Sequence, residues 1–233
     1  MAGENYYLIS ALPALGRLGT PPPMTPAALL AHVSDRPQAR EAVEAIFLSD
    51  DLLQRSSILA GQEGPAEPTV LTAAQLHDSQ PLPEFLVPAA AGASPRAAED
   101  VVWETYFRHA AAVAGRLGSE FLAQWVAHEV ALRNALAAAR AHALGLEAEP
   151  YLVARDLAEA ANFDPVIADW KAAPTPLAAI EVLDRHRWDW ISAHDAWFTF
   201  DDDELVAYGG RLLLLVRWDR ISRQGQARQA RPA

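Results

Sequence analysis

Five short constellations in this 233-residue chain carry residue types that could do chemistry. His128–Glu129 is half of a zinc-protease motif, but that motif needs a second imidazole one turn later, and position 132 is Leu132. Asp201, Asp202, Asp203 and Glu204 could gather a divalent cation. The alternating ligands and turn glycine of a cation loop are missing, and acidic residues also suit a helix first turn, where exposed amides carry partial positive charge. His186, His194 and Asp195 could supply an acid–base pair. No G-x-S-x-G elbow provides a nucleophile, and no G-x-x-x-x-G-K-[ST] loop would cradle a nucleotide. Glu129 and Arg133 stand four apart, the spacing of an ion pair on a helix, with Asn134 beside them as a further hydrogen-bonding group. The fifth group is aromatic: Trp188, Trp190, Trp197, Phe198 and Phe200. Such a cluster serves as core or, more sharply, as a partner interface, where tryptophan is enriched. No catalytic, cofactor or metal site is expected.

The elements that position these residues are helical. Thr25–Pro26, Pro37, Ser94–Pro95, Asp164–Pro165 and Thr175–Pro176 combine a cap with proline or place proline at a first helical position. Trp103, Tyr106, Phe107, Ala110, Val113, Ala114 and Leu117 repeat at helical spacing, and Phe121, Leu122, Trp125, Val126, Leu132, Leu136 and Ala139 follow after Gly118–Ser119. So short a connection predicts an antiparallel hairpin turning at Gly118. Asp201 and Glu204 have capping-box spacing ahead of a last helix. Within it, Gly209–Gly210 marks either a close approach of a neighbour or a kink. Tyr6 to Ile9 suit a short extended segment. The expected fold is therefore all-α, mostly helical bundles, with that extended N-terminal piece. The Gly- and Pro-rich stretch from Gly61 to Pro95 is the expected boundary. It divides residues 1–95 from a main bundle over 96–224, and 225–233 form a basic, frayed tail.

Composition narrows the function classes. A net charge of −11 argues against nucleic acid as the main ligand. The absence of cysteine rules out disulfides and Cys-based zinc sites. The N-terminus has no basic region ahead of its apolar residues, so no secretory signal is expected. Leu212 to Val216, closed by Arg211 and Arg217, is too short to span a bilayer, so membrane contact would have to come through a partner. Five arginines between Arg217 and the C-terminus, Arg217 and Arg220 among them, set a basic end against an acidic body. This suits electrostatic orientation between two partners.

NYYLISALPAL, VWETYFRHAAAVAG, SEFLAQWVAHEVALRNALAAARAHALGL and RWDWISAH…FTFDDDELVAYGGRLLLLVRWDRI resemble an uncharacterised bacterial family found alongside V-type ATPases. That family is similar to the funnel-shaped central-stalk subunit of those enzymes, the one designated C in bacteria and d in eukaryotes. The resemblance spans most of the chain and is weakest through Gly61 to Pro95. It implies small helical bundles forming a funnel on the membrane rotor ring that holds the foot of the rotating shaft. The implied role is a non-catalytic central-stalk connector coupling ATP hydrolysis to ion transport, cytoplasmic and peripheral to the inner membrane, with the shaft and rotor ring as partners. Trp188, Trp190, Trp197, Phe198, Arg217 and Arg220 are the candidate contact residues. The chain is shorter than the usual funnel subunit, so one of three bundle units is expected to be missing or reduced. Two other readings stay open: a helical assembly factor or regulator of the same ATPase, and a small hydrolase using His194 and Asp195.

Overall fold

The computed structural model describes residues 5–62, 66–87, 98–195 and 197–229, with side chains to residue 226. In chain order its α-helices are α1 (Tyr6–Ser10), α2 (Pro26–His32), α3 (Pro37–Leu59), α4 (Ala73–Leu76), α5 (Ala98–Leu117), α6 (Glu120–Ala143), α7 (Asp164–Ala172), α8 (Pro176–His194) and α9 (Asp202–Gln229). No strand occurs among the described residues, as an all-α fold requires.

Most starts follow the local chemistry. The hydroxyls of Thr25, Ser119 and Thr175 accept hydrogen bonds from the backbone N–H of Ala28, Leu122 and Ala178. Each satisfies an amide that its helix cannot. Asp164–Pro165 also opens a helix, but Asn162 supplies the side-chain acceptor, taking the Asp164 N–H. Ser94–Pro95 lies outside the described residues. Gly118 turns the hairpin at φ +69°, a conformation L side chains resist. Tyr6–Ser10 is one helical turn and not an extended segment. Aromatic and branched residues favour extension only on a sheet, and among the described residues no strand is there to pair with.

The chain divides into two compact units: Met1–Pro81 with Trp190–Ala233, and Leu82–Asp189. This corrects the linear division into 1–95 and 96–224. The C-terminal helix α9 packs on α2 and α3, so the two chain ends share one core. The break after Pro81 does fall in the proline-rich connection. The tail assignment also changes: α9 continues to Gln229, and only residues 230–233 lie outside the described part. Just ahead of that stretch Arg223 pairs with Asp219 at 2.9 Å and Glu67 at 2.8 Å.

In the first unit α9 approaches α3 at Gly209 and α8 at Gly210, where side chains are absent. A Cβ added at Gly209 would lie 3.3 Å from Val43 Cγ1, and one at Gly210 would lie 3.1 Å from Ile191 Cδ1. The glycine pair therefore marks close approach. Ala39, Val43, Ile46 and Phe47, at helical spacing on one face of α3, are all buried. Yet α3 also buries Asp50, Asp51 and Gln54, and each is satisfied. Arg220 donates to both Asp50 oxygens at 2.9 and 2.7 Å, and Gln54 adds a third bond at 2.9 Å. Burial alone would raise the Asp50 pKa, but these donors and the charges of Arg220 and Arg217 hold it below the usual carboxylate range. Asp51 accepts the backbone N–H groups of Thr69, Val70 and Leu71 at 2.9, 2.7 and 2.7 Å. Gln54 ties Glu67 through both its backbone groups. These three inward polar groups fasten the connection after α3 and the far end of α9.

In the second unit α5 and α6 form the expected hairpin. Trp103, Tyr106, Phe107, Phe121, Trp125, Leu132 and Leu136 are all buried. A further cluster seats Phe163, Val166, Ile167 and Leu183 against Leu132, Leu136 and Ala139. Asn134 is a clamp: it donates to Val153 O at 2.8 Å and accepts from Val153 N at 2.9 Å. This pins a connection whose next residue, Ala154, has φ +43°.

Asp50→Ala should cost about 3–5 kcal/mol in urea unfolding, because it strands the buried Arg220 guanidinium. The double variant Asp50→Leu, Arg220→Met should recover most of that loss, since it removes both charges together.

Candidate functional site

The residues singled out for acid–base or metal chemistry are each committed to separate neighbours. Among the described residues no group of three or more His, Asp or Glu side chains could hold a metal ion. Asp201 accepts the Glu204 N–H at 3.1 Å, Glu204 accepts the Phe200 N–H at 2.9 Å, and Asp202 accepts from Asn5 at 2.7 Å. The acidic run is a helix start, as its spacing allowed. His194 lies flat on Trp190, centroids 4.0 Å apart, and its Nδ1 bonds Trp190 O at 2.8 Å. Asp195 is buried in a close ion pair with Arg211. His186 stacks instead on His128 at 5.1 Å.

The Glu129–Arg133 pair does not form. Glu129 receives Arg187 from α8 at 2.8 Å, and Arg187 also reaches Asp184 at 3.0 Å. Burial disfavours that guanidinium's charge, yet Glu129 and Asp184 outweigh it and raise the Arg187 pKa. Arg133 pairs with Asp100 at 3.2 Å and covers the Trp103 ring at 4.6 Å. Helical spacing permitted the pair, but α8 and α5 bring each residue a different partner. Asn134 serves Val153 and not that pair.

Sequence reasoning missed the buried centre beside it. His128 is 2% exposed, with Glu159 at 2.6 Å from its Nδ1. Phe163 packs on both His128 and His186, at 5.3 and 5.8 Å. Burial lowers the pKa of both histidines. Glu129 and Glu159 oppose this at His128, while His128 and Arg187 reinforce it at His186. The available signal was a histidine at an inward helical position, between Trp125 and Leu132.

The aromatic residues divide. Trp188 and Trp190 are half-buried, whereas Trp197 and Phe198 are 54% and 78% exposed. These last two are therefore not core. Phe198 and Phe200 hold positive φ, +64° and +55°, which costs a bulky residue about 1–3 kcal/mol. Phe200 leads the segment onto Tyr6, centroids 5.0 Å apart, and Tyr6 meets Tyr7 edge-on at 5.4 Å. Tyr6 and Tyr7 are themselves 49% and 82% exposed. Arg211 lies over Trp197 at 4.3 Å. The arginines expected as partner contacts are engaged internally: Arg220 is buried on Asp50, and Arg217 lies 3.8 Å from the same carboxylate. The Asp50–Asp51 pair inside α3 was the sequence signal that they had an internal use.

Against known protein families, characterised proteins and solved structures, the chain has no match. No described helix is long and apolar enough to cross a membrane.

The two histidines generate a pH dependence with a definite sign. The folded protein resists charging them, so their contribution is whole above about pH 6.5 and declines as the unfolded chain takes up protons below it. Between pH 7.5 and 5.5 the native chain should lose stability relative to His186→Gln, measured by urea midpoints. Equal slopes for the two proteins would refute this.

Proposed function

We propose that the chain is a non-catalytic connector in the central stalk of a bacterial V-type ATPase, cytoplasmic and peripheral to the membrane. It links the rotating shaft to the membrane rotor ring and carries torque between them. The observation that carries the reading is the exposure of Tyr6 and Tyr7, with Tyr6 against Phe200, and of Trp197 and Phe198 in the segment that leads to Phe200. Large aromatics about half or more in solvent make poor use of apolar area unless a partner covers them. Phe198 is held outward on strained backbone, and an outlier of that kind marks a site under functional constraint.

Other features support the same role. A connector must be stiff and grip partners, and it has no reaction to perform. Asp201 and Glu204 cap a helix, Asp195 pairs with Arg211, and His186 and His194 stack on neighbouring rings. Two helical units suit a relative of the funnel-shaped stalk subunit that has lost or reduced one of three bundles. The family resemblance in the aromatic and helical blocks supplies the identity of the partners.

Deleting the gene should leave membranes whose ATP hydrolysis no longer drives ion movement, read as acidification or sodium uptake by inverted vesicles. Full pumping without the chain would refute the role. Phe198→Gly separates surface from fold. It should leave the unfolding midpoint unchanged or raise it, because glycine tolerates positive φ, while co-purification with the ATPase falls several-fold.

A further inference from the structure

A second surface, in the Leu82–Asp189 unit, has the opposite character. A groove of about 630 Å³ lies among the C-terminal turns of α6 and α7 and the start of α8. Small side chains, Ala139, Ala143 and Ala179, line it together with Leu144 and Trp170. Leu144 is 73% exposed. The charges at the groove are Arg140 and Lys171, and no carboxylate lines it. In a chain of net charge −11 that is a local reversal.

These two cations also differ from their neighbours. In the same unit Arg108, Arg133, Arg155, Arg185 and Arg187 each hold a carboxylate. Among the described residues none engages Arg140 or Lys171. Arg140 lies instead over the Trp170 ring at 5.4 Å. Lys171 is the chain's one lysine.

We propose that this groove docks an acidic amphipathic helix of a partner protein. The apolar stripe of that helix would lie along these alanines of α6 and α8, where small residues admit a second helix closely. Glutamate or aspartate at its margins would meet Arg140 and Lys171, whose charges no described carboxylate in this unit neutralises. Charge complementarity fixes the partner's sign, and the small alanines lining the groove leave room for an apolar helix face. The inference stands apart from the stalk reading, since it concerns another surface and names no assembly.

The test uses the full chain and two fluorescein-labelled peptides of about four helical turns. Both carry the same leucine stripe; one has glutamate at the flanking positions and the other lysine. Fluorescence anisotropy should give the glutamate peptide an affinity on the order of tenfold or more above the lysine peptide, weakening with salt. In the variant Arg140→Glu, Lys171→Glu the preference should reverse. Ala179→Phe, which fills the groove, should weaken the glutamate peptide. Circular dichroism checks folding, and Lys171→Gln, at an exposed position, gives a milder loss if the double variant unfolds. Equal binding of both peptides, no binding of the glutamate peptide, or a preference unmoved by every variant would overturn the proposal. So would concentration-dependent self-association by sedimentation that Ala179→Phe abolishes, because the occupant would then be a second copy.

Discussion

The first unit depends on one seam, where α9 lies against α3. Two conditions make that contact. Gly209 removes the side chain that would press on Val43 of α3, and Gly210 the one that would press on Ile191 of α8, so α9 can settle between them. At the far end of the seam Arg220 closes on Asp50 with two hydrogen bonds inside the core. The glycines sacrifice helix propensity, about 1 kcal/mol each, for packing distance. The ion pair adds little net stability, since desolvating two charges offsets most of their attraction, but losing one partner leaves the other charge buried and alone. Because the seam joins the chain's two ends, it also places Asn5 beside Asp202 and Tyr6 beside Phe200, and so builds the aromatic surface.

Much of this was legible in the sequence because the signals were local. Thr25–Pro26, Ser119 and Thr175–Pro176 start helices through a hydroxyl and an amide three residues apart, so a short window contains the whole cause. The α5–α6 hairpin follows from periodic aromatics around a glycine turn. What escaped was decided at long range. Glu129 and Arg133 satisfied the rule for a helical pair, yet Arg187 and Asp100 captured them from other helices. Tyr6 to Ile9 have extended propensity, but propensity without a sheet loses to one hydrogen-bonded turn. The linear domain division failed for the same reason: α9 belongs with α3, more than 140 residues away in the chain.

The candidate site divides along the same line. Trp197 and Phe198 were recognised as unusual, but composition alone could not separate core from surface, and positive φ at Phe198 and Phe200 leaves no sequence mark without glycine. Arg217 and Arg220 looked like a free basic end. Their partner Asp50 sits inside α3 beside a buried apolar face, 170 residues from Arg220 in the chain. The groove cations stand out only by contrast, once the carboxylates that occupy the other arginines are known.

The two proposals rest on two surfaces: exposed aromatics in the first unit, and Arg140 and Lys171 beside small apolar side chains in the second. The most direct test of the stalk assignment is the subunit stoichiometry of the V-type ATPase purified from the source cells, read by native mass spectrometry. The account predicts this chain in a fixed ratio to the shaft subunit, retained when the catalytic head is stripped away and only shaft and rotor ring remain. Its absence from the intact enzyme, or a trace amount lost on further purification, would contradict it.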